Sequence, residues 1–265
     1  MDPFEGFKAA QKKGWAHFGP IEVFTTPAAA RTVKHAGVRA GQRVLDVACG
    51  TGVVAITAAR LGARATGLDL TPELVEQALR NAQLAEVEID FHEGDVEKLP
   101  FENATFDVVL SQFGHMFAPR PEIAVAEMLR VLKPGGTLAF STWPPDEFIG
   151  RMFALIARYS PPPPPGLAPP GQWGDPKVIA DRLGSKVKEI TFDRATMITP
   201  ALSPQHHRTI FGRTVGPVIK IYEALSVSDP ERLAAFCREY DALAAEFITD
   251  NILRQDYLMT RATKL

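Results

Sequence analysis

Three acidic residues stand where a carboxylate can do chemistry. Asp46 lies in the apolar run Val44-Leu45-Asp46-Val47, four residues before Gly50. Asp69 ends the next apolar run, Ala65-Thr66-Gly67-Leu68. It comes about 20 residues further on, where an acid can accept hydrogen bonds from ribose hydroxyls. Asp95 follows a third extended segment, inside Gly94-Asp95-Val96-Glu97-Lys98-Leu99-Pro100-Phe101. Its side chain and the Val96 N–H can meet an adenine edge. Between the first two acids lies the turn Ala48-Cys49-Gly50-Thr51-Gly52. Its glycines let a ligand approach the backbone, and the helix that follows offers free N–H groups. Gly50-Thr51-Gly52-Val53-Val54-Ala55 also fits a dinucleotide pattern with Ala in the last place. Asp46 argues against that reading. A carboxylate repels a pyrophosphate but attracts a ligand with a positive charge and an amino group.

A second set of residues points to an acceptor molecule. The fourth apolar run, Phe106-Asp107-Val108-Val109-Leu110-Ser111, opens into Gln112-Phe113-Gly114-His115-Met116-Phe117. His115 is the best-placed candidate for a general base, with His17 behind it. Trp15, Phe18, Phe113, Met116, Phe117, Trp143 and Trp173 are candidates for a shared apolar pocket, whose aromatic faces tolerate a positive charge. His206 and His207 are adjacent, with no Cys or carboxylate at ligand spacing, so no metal site is expected. Cys49 reads as a small packing residue of the turn.

These residues need strands that end together. Val44 to Val47 has the composition of a strand buried on both faces, and residues 53–60 restart as a helix. Thr71-Pro72-Glu73 is a helix start, with Thr as cap and Pro in the first turn. That helix is expected to run to about Ala85. Residues 87–92 alternate as a third strand, residues 106–111 form the fourth and residues 137–142 the fifth. The helix at residues 121–132 shows a buried stripe of Ile123, Val125, Met128, Leu129 and Leu132. Five strands alternating with helices make a right-handed parallel sheet.

The flanks differ. Residues 7–18 mix Lys with Phe and Trp and suit an amphipathic helix lying across the site. Thr26-Pro27 reads as the cap of a second helix through His35. After the fifth strand come a helix at 147–159, five consecutive prolines at 161–165, a short helix at 175–183 and a strand at 187–196. The proline run is stiff and extended. Residues 203–247 read as two or three helices, and residues 257–263 as a last, antiparallel strand. The expected division is a helical lid at 1–36 and one domain at 37–265, with a helical cap inserted at about 197–252.

The totals exclude several classes. The 265 residues suffice for one large α/β domain. A net charge of −2 opposes general polyanion binding. Two cysteines fit a reducing compartment. The start lacks a basic region followed by an apolar core, and no apolar run approaches a membrane span, so a cytoplasmic protein is expected.

With these motifs in order, the chain resembles a class I S-adenosylmethionine-dependent methyltransferase. It is similar to the ubiquinone/menaquinone-biosynthesis type of small-molecule enzyme. Residues 44–52, Gly67-Leu68-Asp69-Leu70, residues 94–101, Phe106-Asp107-Val108-Val109 and Leu132-Lys133-Pro134-Gly135-Gly136 match the family's landmarks. The match is strong over about residues 40–145. The resemblance implies a Rossmann-like α/β fold: a seven-stranded, mostly parallel sheet whose last strand is antiparallel. It implies that Ala48, Gly50, Thr51 and Gly52 hold the methionine part of S-adenosylmethionine, with Asp46 near its amino group. Asp69 takes the ribose, with Leu70 against the adenine. Asp95 and Val96 N–H read the adenine edge, and Ser111 and Gln112 close the methionine side. Trp15, Phe18, Phe113, Met116 and Trp143 are then the candidate acceptor contacts, and the acceptor a small aromatic or lipophilic molecule. The chain lacks the Asp/Asn-Pro-Pro-aromatic motif of amino-methylating nucleic-acid enzymes, so no nucleic acid is expected. The sequence leaves open a homodimer, the acceptor's identity and the atom methylated. A nucleotide-linked oxidoreductase and a non-catalytic S-adenosylmethionine-binding relative are the rival readings.

Overall fold

Strands that alternate with crossover helices return in the same direction, so their C-terminal ends gather on one edge of a sheet. The computed structural model, which describes residues 4–265, has this arrangement. Residues 1–3, where the lid and the leader assessment begin in the sequence reading, lie outside the described residues. The chain opens with α1 (Glu5–Trp15) and α2 (Glu22–Ala36). Then come β1 (Arg43–Val47), α3 (Val53–Arg60), β2 (Arg64–Asp69), α4 (Pro72–Leu84), β3 (Asp90–Glu93), β4 (Phe106–Gln112), α5 (Pro121–Val131) and β5 (Leu132–Thr142). The second half holds α6 (Phe148–Tyr159), α7 (Pro176–Leu183), β6 (Val187–Pro200), α8 (Pro204–Thr214), α9 (Gly216–Ser228) and α10 (Pro230–Ala245). The short β7 (Ile248–Thr249) turns into β8 (Ile252–Lys264).

The sheet order is β3-β2-β1-β4-β5-β8-β6, with β7 added beside β8. β8 runs antiparallel to both β5 and β6, while β1 to β5 are parallel. The expected seven-stranded sheet with an antiparallel last strand is therefore present. Connections reverse direction between β1 and β4, where open α/β sheets form their ligand crevice. One face of the sheet packs Val44, Val108 and Leu110 against Ala29, Val33, Val54 and Ala58 of α2 and α3. The other packs Leu45, Val47, Val109 and Phe140 into a larger core with α5, α6 and the later helices.

Several local expectations shift. α2 begins at Glu22, so Thr26-Pro27 lies inside the helix and does not cap it. The Thr25 and Thr26 hydroxyls both donate to Glu22 O. Ile123 is 38% exposed, and Ala124 takes the buried place in the α5 stripe. β3 is shorter than expected, while β6 runs on to Pro200 because its pairing with β8 extends to Ile252. No helix among the described residues is long and apolar enough to cross a membrane.

Candidate functional site

Parallel pairing sets Asp46 beside Gly67 of β2 and Leu110 of β4, so the chain leaves β1 at the reversal point. It then turns sharply. Ala48 holds a left-handed φ of 52°, followed by Gly50 at 55° and Gly52 at 81°. On the facing loop Phe113 is also left-handed, at 63°. Such conformations at non-glycine residues are strained and persist where the surroundings over-determine them. Here the two strand ends press together: a Cβ on Gly114 would sit 2.6 Å from Ala48 O, so only glycine fits there.

The acids converge. Asp46, Asp69 and Asp95 line one cavity, together with Ala48, Gly50, Thr51, Leu70, Val96 and Gln112. Asp69 Oδ2 accepts from Gly50 N at 2.8 Å and Oδ1 from Thr71 N at 2.9 Å, so it holds the glycine turn as well as facing the cavity. Asn81 of α4 supports that turn from outside, donating to Thr51 O at 3.0 Å and to Glu22 Oε2 at 2.8 Å. Asp46 is 1% exposed. Its Oδ2 accepts from Ala55 N in the first turn of α3 at 3.1 Å, while Oδ1 has no partner in the protein. Burial pushes the Asp46 carboxyl up to about 8, against the Ala55 hydrogen bond that lowers it. Burial also raises Asp69 and the Cys49 thiol. A buried acid with an unpartnered oxygen is costly in a protein interior, and a cationic hydrogen-bond donor relieves that cost. These acceptors thus fit the amino group and positive charge of an adenosyl sulfonium.

The same cavity continues into apolar side chains. Trp15, Phe18, Phe113 and Trp143 line it, joined by Phe117, Ile149, Met152, Phe153, Met197, Phe211, Val215 and Gln255. Phe113 stacks on Trp143 with ring centroids 4.0 Å apart. Trp15 packs against Phe18 and Phe117. The first helix closes this side: Gln11 Nε2 donates to Phe117 O at 3.0 Å, and Lys8 Nζ reaches Asp95 and Glu97. Lys220 of α9 also donates to Ala10 O of this helix.

Six of the sequence candidates, Gly52, Ser111, His115, Met116, Trp173 and His17, are not on the cavity wall. Gly52 lies behind the turn, where it caps α3. Ser111 is fully buried; its Oγ donates to Val47 O at 2.7 Å and accepts from His115 N at 3.1 Å, so it braces the β1 and β4 ends. Met116 is buried in the core. His115 is 0% exposed, packed against Phe140 and Trp173, with neither ring nitrogen hydrogen-bonded. Burial lowers it to about 3, so it is a neutral core residue. The β4 strand-end rule placed its loop correctly, but the 3-10 turn at His115–Phe117 turns the ring inward. Trp173 is buried with it, outside the cavity. Lys8, Asn81, Met197, Phe211, Val215 and Gln255 went unremarked in the sequence, since each reaches the site across a long separation and lies outside any motif.

Comparison with known proteins bears on this geometry. A family model described as a methyltransferase domain matches residues 45–140. An uncharacterized protein of Mycobacterium tuberculosis is 35% identical over 250 residues, covering 94% of this chain and 87% of the relative. The ubiquinone biosynthesis O-methyltransferase of Xanthomonas oryzae is 41% identical over 104 residues, 39% of this chain and 44% of that one. Among solved structures, the YcgJ protein from Bacillus subtilis shares the fold with a TM-score of 0.59 at 20% identity, over 89% of this chain and 97% of that one.

Proposed function

The chain belongs to the class I S-adenosylmethionine-dependent methyltransferases, and from that premise we propose that it methylates a small, neutral, largely apolar acceptor. One observation carries the reading. A single cavity joins an acidic end, built from Asp46, Asp69 and Asp95, to an end walled by Trp15, Phe18, Phe113 and Trp143. The acidic end suits the cofactor and the apolar end an acceptor next to it.

S-adenosylmethionine supplies a methyl group already activated on a sulfonium. The residues assigned to it hold and orient. Backbone groups of Ala48, Gly50 and Thr51 would hold the methionine part, with Asp46 Oδ1 for its amino group. The Asp69 carboxylate would take the ribose hydroxyls. Leu70 would pack on the adenine, and Asp95 and the Val96 N–H would read its edge. Gln112 would close the methionine side. Gly52 and Ser111 act from behind the wall.

Methyl transfer is an in-line displacement: an acceptor lone pair bonds to the methyl carbon while the carbon–sulfur pair returns to sulfur. The protein must align the acceptor and keep water out, which supplies much of the acceleration. No histidine lines the cavity among the described residues. The acceptor's proton, if it has one to lose, therefore leaves without a histidine base. Residues 4–36 serve as a lid and the helices between β6 and β8 as an acceptor wall, because Trp15 and Phe18 on one side and Phe211 and Val215 on the other line the cavity.

The test is a methylation screen of cell extract with isotope-labelled cofactor, followed by product mass. A labelled small lipophilic product is expected. Label appearing only in protein or nucleic acid overturns the acceptor assignment.

A further inference from the structure

The acceptor end of the cavity contains one polar group that the fold leaves unused. Gln255 lies on β8, with its side chain 1% exposed and lining the cavity. Its Nε2 donates to Thr199 Oγ1 of β6 at 2.9 Å. Its Oε1 has no hydrogen-bond partner in the protein. The other amides of the wall are engaged. Gln112 accepts from Thr32 Oγ1 and donates to Thr25 O, and Gln11 donates to Phe117 O.

Position matters as much as valence. β8 stands three strands from β1 in the sheet order, roughly 14 Å at about 4.8 Å per strand. Gln255 is thus remote from Asp46. Its cross-strand partner is Met197, another lining residue. The charged side chains on the wall, among the described residues, are Lys8, Asp46, Asp69 and Asp95, all of which line the cofactor end. Gln255 therefore faces an uncharged, mostly aromatic space.

We infer that Gln255 is a specificity residue whose Oε1 accepts a hydrogen bond from a hydroxyl or N–H of the methyl acceptor; this rests on the function proposed above. A buried amide oxygen without a partner carries a desolvation cost. A ligand that donates to it removes that cost. A ligand of the same shape without a donor leaves it standing, and such sites discriminate strongly against the analogue that lacks the group. Thr199, fully buried, holds the amide nitrogen, and the oxygen is left without a partner. The acceptor class is then narrower than lipophilic: an uncharged, ring-bearing molecule with at least one proton-donating polar group, such as a phenol.

The experiment uses the full chain saturated with S-adenosylhomocysteine and two probes of one shape, 2-naphthol and 2-methoxynaphthalene, titrated by calorimetry. The wild-type protein is expected to bind the naphthol about tenfold tighter, equivalent to about 1.4 kcal/mol. In Gln255→Met the preference is expected to fall to within about twofold, with S-adenosylhomocysteine affinity unchanged. Thr199→Val, which frees the amide without altering the wall, is expected to lower it in part and serves if the first variant does not fold. A wild-type ratio near one, a preference for the ether, no binding of either probe, or an unchanged ratio in the variants overturns the inference. Failure of S-adenosylhomocysteine to bind the wild-type chain overturns the parent reading instead, and is seen before either probe is added.

Discussion

Lys8 Nζ lies 2.6 Å from Asp95 Oδ2 and 2.6 Å from Glu97 Oε2, so α1 is pinned to the loop at the acidic end of the cavity. Glu97, whose side chain is 1% exposed, is also held by Arg120. Lys12 of the same helix pairs with Glu93. The helix that carries Trp15 to the acceptor end is therefore latched through the carboxylate assigned to the adenine amino group. The first helix and the acidic end of the cavity share one acid.

Lys8→Met is expected to loosen that latch. S-adenosylhomocysteine should dissociate about tenfold faster with little change in its association rate, the usual division for a lost closing contact. Amide hydrogen exchange in α1 should speed up in parallel. Stopped-flow displacement gives the rate, and an unaltered dissociation rate refutes the latch.

Asp69→Ala is expected to weaken S-adenosylmethionine binding by more than tenfold, about 1.4 kcal/mol or more, as charge-assisted hydrogen bonds are lost. The substitution also releases Gly50 N and Thr71 N. Asp69→Asn keeps one acceptor oxygen and should fall between. Calorimetry showing equal affinity in wild type and Asp69→Ala removes the ribose assignment.

Asp46 makes the ligand-free protein sensitive to pH in an unusual direction. Its folded value of about 8 lies above the unfolded value of roughly 3.9. The folded state thus binds more protons in between, and this contribution, complete below about pH 4, is lost as pH rises through about 8. Asp46→Asn should be free of that loss, so its stability relative to wild type should grow from pH 5 to pH 9. A cationic ligand favours the ionised acid, so binding at pH 7 should release up to about one proton. Calorimetry in buffers of different ionisation heat measures it. Equal heats across buffers, for wild type and variant alike, count against Asp46 as the amino-group partner.

His115→Leu should leave methyl transfer within about threefold of wild type, far short of the 10²–10⁴-fold that a general base supplies. Stability should change by no more than about 1 kcal/mol, because the ring makes no hydrogen bond that leucine would break. Its folded value of about 3 lies below the unfolded value of roughly 6.5, so its contribution is full above about pH 6.5 and is lost as pH falls toward 3. The variant should therefore tolerate acid better in denaturant titrations. A hundredfold drop in turnover in a folded variant restores the histidine to the mechanism.

Asp46, the Gly50-Thr51-Gly52 turn, Asp69 and Asp95 were legible from the chain alone, together with the parallel sheet that gathers them. Each is local: an apolar run, a turn and a helix start lie within a few residues of one another, and alternating strands and helices place every such end on the same edge. His115 shows where local reading stops. Its loop was placed at the right edge, but which way a ring turns depends on Phe140 and Trp173, and neither is near it in sequence.

Only the tertiary structure decided how the cavity closes. Lys8 meets Asp95 across 87 positions, and Gln255 meets Thr199 across 56. Neither position carries a periodicity or a turn signal. A salt bridge or a side-chain hydrogen bond between distant segments is set by how helices and strands settle on the sheet, and that depends on the whole core at once. The acidic end was readable because its geometry is built by short-range backbone rules. The apolar end was not, because long-range packing builds it.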